Sequence, residues 1–312
     1  MRTLALRLFL AAALIAGIGV PAGAQTLTVV RVASPAVSVT GNLFYAIDLG
    51  YFKDAGLDVQ VTQLPSGSTV TAAVMGGAVE IGSSNLLPIA EAFQNGAQLE
   101  LVAPSGGNSI KSPIDAVVVP PGSAIKTAAD LNGKTLVTSA LLNILQIQVS
   151  AWMDKHGGDW KSVKWIDAPP PQEGVLVGSG KVDAGTITDP FLSAAVAAGN
   201  VKVLAYTGSE ISPLVIEGGY FCSKDYANAN AGVIAKFTEA ILKAGRWANT
   251  HPDDAFAIMA KYSKQASKAT GVAVYPDSFH ARDLQSLLDA ALKYGALKGP
   301  VNASELVAPN LR

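Results

Sequence analysis

Apolar positions follow two alternating periods along this chain. Short Val-rich runs, continuous or alternating with polar residues, are each followed by segments whose apolar residues recur three or four apart. Leu27 to Ala33 predicts a first strand, and Asn42 to Asp48 a helix with Asn42 as its cap, Phe44, Ile47 and Tyr51 falling at helical spacing. Leu57 to Leu64 predicts a strand, Thr69 to Met75 a helix, Val79 to Gly82 a short buried strand, Leu87 to Asn95 a helix and Leu99 to Ala103 a strand. The pattern then restarts. Strands are predicted at Ala116–Val119, Thr135–Thr138, Val163–Ile166, Val182–Ile187 and Val201–Ala205, with helical pieces at Thr127–Leu131, Leu142–Lys155, Glu173–Val177 and Phe191–Ala198. Leu214 to Cys222 reads as one strand returning to the first unit, followed by amphipathic helices at Ala231–Asn249, Asp253–Tyr262 and Asp277–Tyr294. Strands alternating with helices predict an α/β fold with mostly parallel sheets. The restart predicts two similar lobes, 25–115 with 214–312 and 116–213, joined by two crossing segments with a cleft between them.

The first residues do not belong to that pattern. Arg2 and Arg7 flank a basic start, Leu8 to Val20 is continuously apolar, and Pro21 with Ala22-Gly23-Ala24 supplies a small-residue cleavage site. This predicts a signal peptide over 1–24, cleaved after Ala24, and a periplasmic protein. The apolar run is short for a membrane span. Removing the leader's two Arg leaves 21 basic and 24 acidic residues, a net charge of −3. That balance excludes a polyanion binder, so no nucleic-acid partner is expected. Nearly half the chain is hydrophobic and 15% charged, which excludes disorder. A single cysteine, Cys222, rules out an intrachain disulfide and suits a small core position.

Enzyme signatures are weak. Nucleotide-binding glycine motifs and the G-x-S-x-G nucleophile motif are missing, and His156, His251 and His280 stand far apart with no metal-ligand spacing. No cofactor or metal is expected. The chemistry gathers instead in polar turns between a strand and a helix: Thr40-Gly41-Asn42, Ser66-Gly67-Ser68 and Ser83-Ser84-Asn85 in the first lobe, with Ser139 to Asn143 at the matching turn of the second. Such turns lie at the carboxyl ends of strands, where helix N-termini present backbone N–H groups to a polar or anionic ligand. Simple N-capping explains any one of them equally. Asp189, in Thr188-Asp189-Pro190-Phe191, and Glu217, on the returning strand, can accept from an amino group; Asp189 can equally be a cap.

These residues resemble a family. Ala46-Ile47-Asp48-Leu49-Gly50-Tyr51-Phe52-Lys53-Asp54-Ala55-Gly56-Leu57-Asp58-Val59 is similar to the A-x-x-x-G-Y-F-x-x-x-G-L-x-V stretch of substrate-binding proteins of bacterial ABC importers, of the nitrate/sulfonate/taurine type that also includes binders of thiamine-precursor pyrimidines. Ser66-Gly67-Ser68, Gly77-Ala78-Val79-Glu80-Ile81-Gly82 (Glu for the usual Asp), Asp130-Leu131-Asn132-Gly133-Lys134, and Gly180-Lys181-Val182-Asp183-Ala184 followed by Asp189-Pro190-Phe191 fit its further motifs in order. The resemblance spans nearly all of the mature chain. It implies a two-lobed type-II periplasmic binding fold, a small-molecule ligand captured in the cleft, and delivery by a monomer to a membrane permease and its ATPase. Carried over by position, the ligand contacts are Thr40, Gly41, Asn42, Ser66, Gly67, Ser68, Ser84, Asn85, Asn143, Asp189 and Glu217. Thr188 stands where an aromatic often precedes the acidic-Pro pair, and Lys111 is the only cation near the expected contacts. The two acids therefore favour a ligand with hydrogen-bond donors, an amino-sulfonate or amino-heterocycle over bare nitrate. The competing readings are a pyrimidine-synthesis enzyme on the same fold, which carries a cysteine-rich motif, and a ligand-presenting sensor.

Overall fold

A computed structural model describes residues 26–264, 273–278 and 280–309. The leader expected at 1–24 lies outside them. Among the described residues no helix is long and apolar enough to cross a membrane. The chain opens with β1 (Thr28–Ser34), α1 (Gly41–Asp48), α2 (Tyr51–Asp54), β2 (Leu57–Gln63), α3 (Gly67–Met75), β3 (Ile81–Asn85), α4 (Leu86–Gln94) and β4 (Leu99–Pro104). A short β5 (Gly107–Ser109) leads to β6 (Asp115–Val119), β7 (Thr135–Thr138), α5 (Ile144–Lys155), β8 (Lys164–Asp167), α6 (Pro170–Gly178), β9 (Ala184–Thr188), α7 (Phe191–Ala197) and β10 (Lys202–Tyr206). The chain returns through β11 (Leu214–Ile216) and β12 (Gly218–Ser223). It closes with α8 (Lys224–Ala229), α9 (Ala231–Thr250), α10 (Pro252–Ser263), α11 (Arg282–Lys293) and α12 (Ala303–Leu306).

Two five-stranded sheets result, in the orders β2-β1-β3-β12-β4 and β10-β6-β9-β7-β8. The two orders are the same plan used twice. In each sheet four strands run one way and a single strand, β12 or β6, runs against both its neighbours. That antiparallel strand is the one that arrives from the other sheet. The mostly parallel α/β architecture expected from the pattern is thus present, and the restart in the sequence is a restart in topology. Between the sheets β5 and β11 pair antiparallel, Leu214 with Ser109 through Ile216 with Gly107, so the two crossings are tied together as a ribbon.

The pattern explains the cores. In β1, Val30 and Val32 are buried with exposed Arg31 between them, as alternation in a half-covered strand requires, and toward the strand's end Ala33 and Ser34 are buried as well, so both faces are covered there. Along α9, Phe237, Ala240, Ile241, Ala244 and Ala248 form one buried stripe at helical spacing, and Phe237 meets Phe52 and Tyr220 with ring centroids 5.2 and 5.5 Å apart. A further apolar cluster joins α4 and α11 to Ile144, Leu145, Ile147 and Ala151 of α5, crossing from one sheet's helices to the other's. Around it Lys293 Nζ lies 2.7 Å from Asp154 Oδ2, and Trp160 meets Tyr294 edge-on at 5.3 Å.

Several boundaries differ from the sequence pattern. The strand expected to stop at Gly82 continues to Asn85, because β12 pairs with it through Tyr220–Ser83, Gly219–Ser84 and Gly218–Asn85. Ser83 and Ser84 are therefore strand residues rather than a turn. The returning segment is two strands broken at Glu217, and β5 had no apolar signal of its own. Asn42 is not a cap; α1 begins at Gly41 with Thr40 as N-cap. The helical piece expected at Thr127–Leu131 is a single 3-10 turn, Ala129–Leu131. α6 starts early, at Pro170, since proline's fixed φ suits a first helical turn.

Candidate ligand-binding cleft

A cavity of about 260 Å³ lies between the sheets. Three helix N-termini meet there, each capped by a residue that lines it. Ser66 accepts from Thr69 N–H at 3.4 Å at the start of α3, and Asn85 Oδ1 accepts from Leu87 N–H at 3.1 Å at the start of α4. Asn143 Oδ1 accepts from Gln146 N–H at 2.9 Å at the start of α5. A cap satisfies one amide of the first turn and leaves others free of intrahelical partners, with the positive end of the helix dipole behind them. So capping and cleft lining, alternatives in the sequence, are here combined in the same residues.

Of the eleven residues carried over by resemblance, Thr40, Ser66, Gly67, Ser68, Ser84, Asn85, Asn143 and Glu217 line the cavity. Their side chains differ in how far they are already engaged. Thr40 donates its hydroxyl to Pro35 O at 2.6 Å, and Asn143 donates to Ser139 Oγ at 2.8 Å while accepting from Thr138. Ser84 Oγ is buried without a hydrogen-bond partner among the described residues, as is Thr188 Oγ1, and both residues face the cavity.

Gly41, Asn42 and Asp189 lie outside the lining. A side chain at Gly41 would run into Tyr45 and Tyr275, so that position faces the core. Asn42 is buried and spent there, donating to Pro104 O at 3.1 Å and accepting from Tyr220 OH at 2.6 Å. Asp189 is fully buried and turned into α7, where Oδ1 accepts from Ser193 N–H at 2.9 Å and from its hydroxyl at 2.5 Å. It is a helix-end cap. Asp189→Ala is accordingly expected to cost about 1–2 kcal/mol of stability, read by denaturant titration, with ligand affinity changing less than about threefold.

The sequence missed the walls. Val37, Val39, Pro65, Leu87, Pro88, Leu141, Leu142, Leu145 and Ala296 give the cavity aliphatic sides. Leu141 and Leu142 keep about half their surface exposed at its lip (54% and 47%), and two consecutive leucines in an otherwise polar turn are a signal that could have been read. Ala296 comes from after α11, with no local signal at all. Among the described residues no Lys, Arg, His or aromatic ring lines the cavity; Glu91 and Glu217 are the charged-type residues of its described lining, and Lys111 is not part of it. Glu217 is 3% exposed. Burial, and after it the charge of Asp115, hold its carboxyl well above the ordinary carboxylate range, with the amides of Gln148 and Asn108 pulling the other way. Cys222 is buried in β12, and burial first of all pushes its thiol up to about 12, which disqualifies it as a nucleophile at neutral pH. No group of His, Cys, Asp and Glu among the described residues is arranged to hold a metal ion.

Residues 38–255 match the family described as "NMT1/THI5 like". The chain belongs to that family. Among curated relatives it is 28% identical to a putative aliphatic sulfonates-binding protein of Escherichia coli K12, over 57% of this chain and 55% of that protein. It thus aligns with little more than half the length of that relative. It is 24% identical to a formylaminopyrimidine-binding protein of Halalkalibacterium halodurans, over 72% of this chain and 67% of that one. Among solved structures, the alkanesulfonate-binding protein of Xanthomonas axonopodis pv. citri bound to MOPS superposes with a TM-score of 0.74 at 18% identity, covering 90% of this chain and 98% of that one. The two-lobed periplasmic binding fold is therefore shared. The family's motif acids serve this fold rather than the cleft: Glu80 accepts from Arg31 N–H at 2.7 Å, Asp183 from Thr135 N–H at 2.8 Å and Asp130 from Thr127 N–H at 2.9 Å.

Proposed function

We propose that this chain is the extracytoplasmic solute-binding component of an ABC importer. It captures a small polar organic ligand between two lobes, 25–115 with 214–312 and 116–213, and delivers it as a monomer to a membrane permease and its ATPase. Export follows from the leader expected at 1–24, with release into the periplasm after Ala24.

One observation carries the reading: the helix N-termini of α3, α4 and α5 converge on a cavity with aliphatic walls, beside the unpartnered hydroxyls of Ser84 and Thr188. Converging first-turn amides and hydroxyls suit an oxyanion or carbonyl head. Leucine and proline walls suit an alkyl body more than a flat ring, which a site usually holds against an aromatic face. This favours an aliphatic sulfonate-like ligand over the pyrimidine type, both of which appear among the names of the relatives. The chain binds its ligand without transforming it, consistent with a thiol locked in a strand and an acid locked in a cap.

The test is a thermal-shift and calorimetric screen of alkanesulfonates of increasing chain length, with nitrate and formylaminopyrimidine alongside. At ten times Kd a true ligand adds about 1.4 kcal/mol to stability, roughly 2–3 °C for a chain of this size. Alkanesulfonates raising Tm support the reading; no shift with any compound overturns it.

A further inference from the structure

Leu142 holds a backbone conformation that its side chain disfavours. Its φ is +56°, in the left-handed region, where a Cβ crowds the following carbonyl. Among the described residues Lys264 is the one other non-glycine there. The turn is fixed from both sides: Gln146 Oε1 accepts from Leu142 N–H at 2.7 Å, and Asn143 Oδ1 accepts from Gln146 N–H at 2.9 Å. Glycine would take this conformation without strain, and a polar residue would suit the exposure. The position carries instead a leucine with nearly half its surface uncovered. Backbone strain of this kind clusters at ligand sites, where the side chain it aims has a use.

Leu142 stands in a partition. A second hollow of about 410 Å³ adjoins the ligand cavity, and Leu142, Glu91 and Ala296 line both. Leu142 comes from the turn before α5, which packs on β9 of the second sheet. Glu91 belongs to α4, which packs on the first sheet, and Ala296 follows α11, which packs on α4. The partition is thus assembled from opposite sides of the cleft. The two chambers differ in character. The inner one has leucine and proline walls, whereas the rest of the outer lining is Gln94, Asn95, Gly295, Lys298 and Gly299. Leu141, one residue earlier, lines the inner cavity but not the outer.

We propose that Leu142 is the specificity-determining residue for ligand length: its side chain closes the inner cavity against the outer chamber and so limits the alkyl chain that the cleft accepts. This rests on the capture of an aliphatic oxyanion proposed above. α4 sets the axis. Its N-terminus faces the ligand head, and Leu87, Glu91, Gln94 and Asn95 follow at helical spacing, leading from the inner cavity to the outer one. The span from the cap Asn85 to Glu91 is about 9 Å along the helix. A chain running along this face meets the partition at that point. Each methylene buried on the way strengthens binding about fourfold. The next carbon must displace a side chain held by a fixed turn, which is overpacking. Past Leu142 the lining is polar, so further carbons gain little.

The test is calorimetry on the full mature chain with unbranched alkane-1-sulfonates, from methanesulfonate to octane-1-sulfonate. In the wild type, affinity should rise with chain length and then fall about tenfold or more at one length. Leu142→Gly suits the positive φ and removes the side chain, so the fall should give way to a plateau. The readout is the position of the fall, which a general loss of affinity does not move. Leu141→Ala trims the inner wall alone; it should weaken the longer probes and leave the fall in place. A wild-type series without a fall, or a fall at the same length in Leu142→Gly, overturns the partition and leaves capture standing. Binding of no sulfonate by either protein overturns the capture reading and the partition with it. If Leu142→Gly fails to fold, Leu142→Asn, shorter and also tolerant of the left-handed region, decides by the same criterion.

Discussion

Val at position 218 is expected to unfold part of the molecule before it affects chemistry. Gly218 follows Glu217 and pairs with Asn85 at the start of β12. A Cβ there would stand 2.6 Å from Asn85 Cα and closer still to the Ser84 carbonyl, both backbone groups of the neighbouring strand. No rotamer change relieves a collision with backbone, so β3 and β12 must separate at that register. Overpacking against backbone costs about 3 kcal/mol or somewhat more, roughly 5 °C in Tm for a chain of this length. The same separation moves Ser84, Asn85 and Glu217, all cavity residues, so affinity should fall with stability. Differential scanning calorimetry checks the first effect and titration at low temperature the second. A Gly218→Val protein melting within 2 °C of wild type would show that the strands accommodate a side chain there.

The second large effect dissociates the two properties. Gly67 is the first residue of α3, and a Cβ on it would lie 3.3 Å from Ser84 Cβ and against the Ser84 hydroxyl. Here the obstacle is a hydroxyl that can rotate, plus open cavity. Gly67→Val should therefore leave Tm within about 2 °C while placing methyl groups where the α3 amides meet the ligand head and turning the Ser84 hydroxyl away. A loss of about 100-fold in affinity is expected, about 2.7 kcal/mol. Comparison with Gly67→Ala, which moves only the hydroxyl, apportions the effect between the two causes. Retained affinity in Gly67→Val would place the ligand head elsewhere in the cavity.

The residues that were legible in the sequence share a property: their signal is local. Val30 and Val32, the α9 stripe, and the caps Ser66, Asn85 and Asn143 announce themselves by their own periodicity or by the helix that follows them. What was misread depends on a distant partner. Ser83 and Ser84 look like a turn until β12 pairs with them from more than a hundred residues away. Asn42 looks like a cap until Tyr220 and Pro104 claim its amide. Asp189 carried two readings of equal weight in the sequence, and the cap is supplied by a bond from Ser193 four residues on. Glu217 was named in the sequence but Asp115 was not, since its approach to Glu217 exists only when two crossings run side by side.

The single antiparallel strand in each sheet also has a consequence for biogenesis. All five strands of the second sheet lie between residues 115 and 206 and emerge from a ribosome or translocation channel in one uninterrupted stretch. The first sheet lacks an interior strand until residue 223 has emerged, leaving β3 and β4 with open edges through the synthesis of the whole intervening segment. The earliest residues are thus the last to complete their sheet. This ordering delays compaction of the N-terminal portion until the chain has returned, while the second sheet can close as soon as residue 206 has emerged.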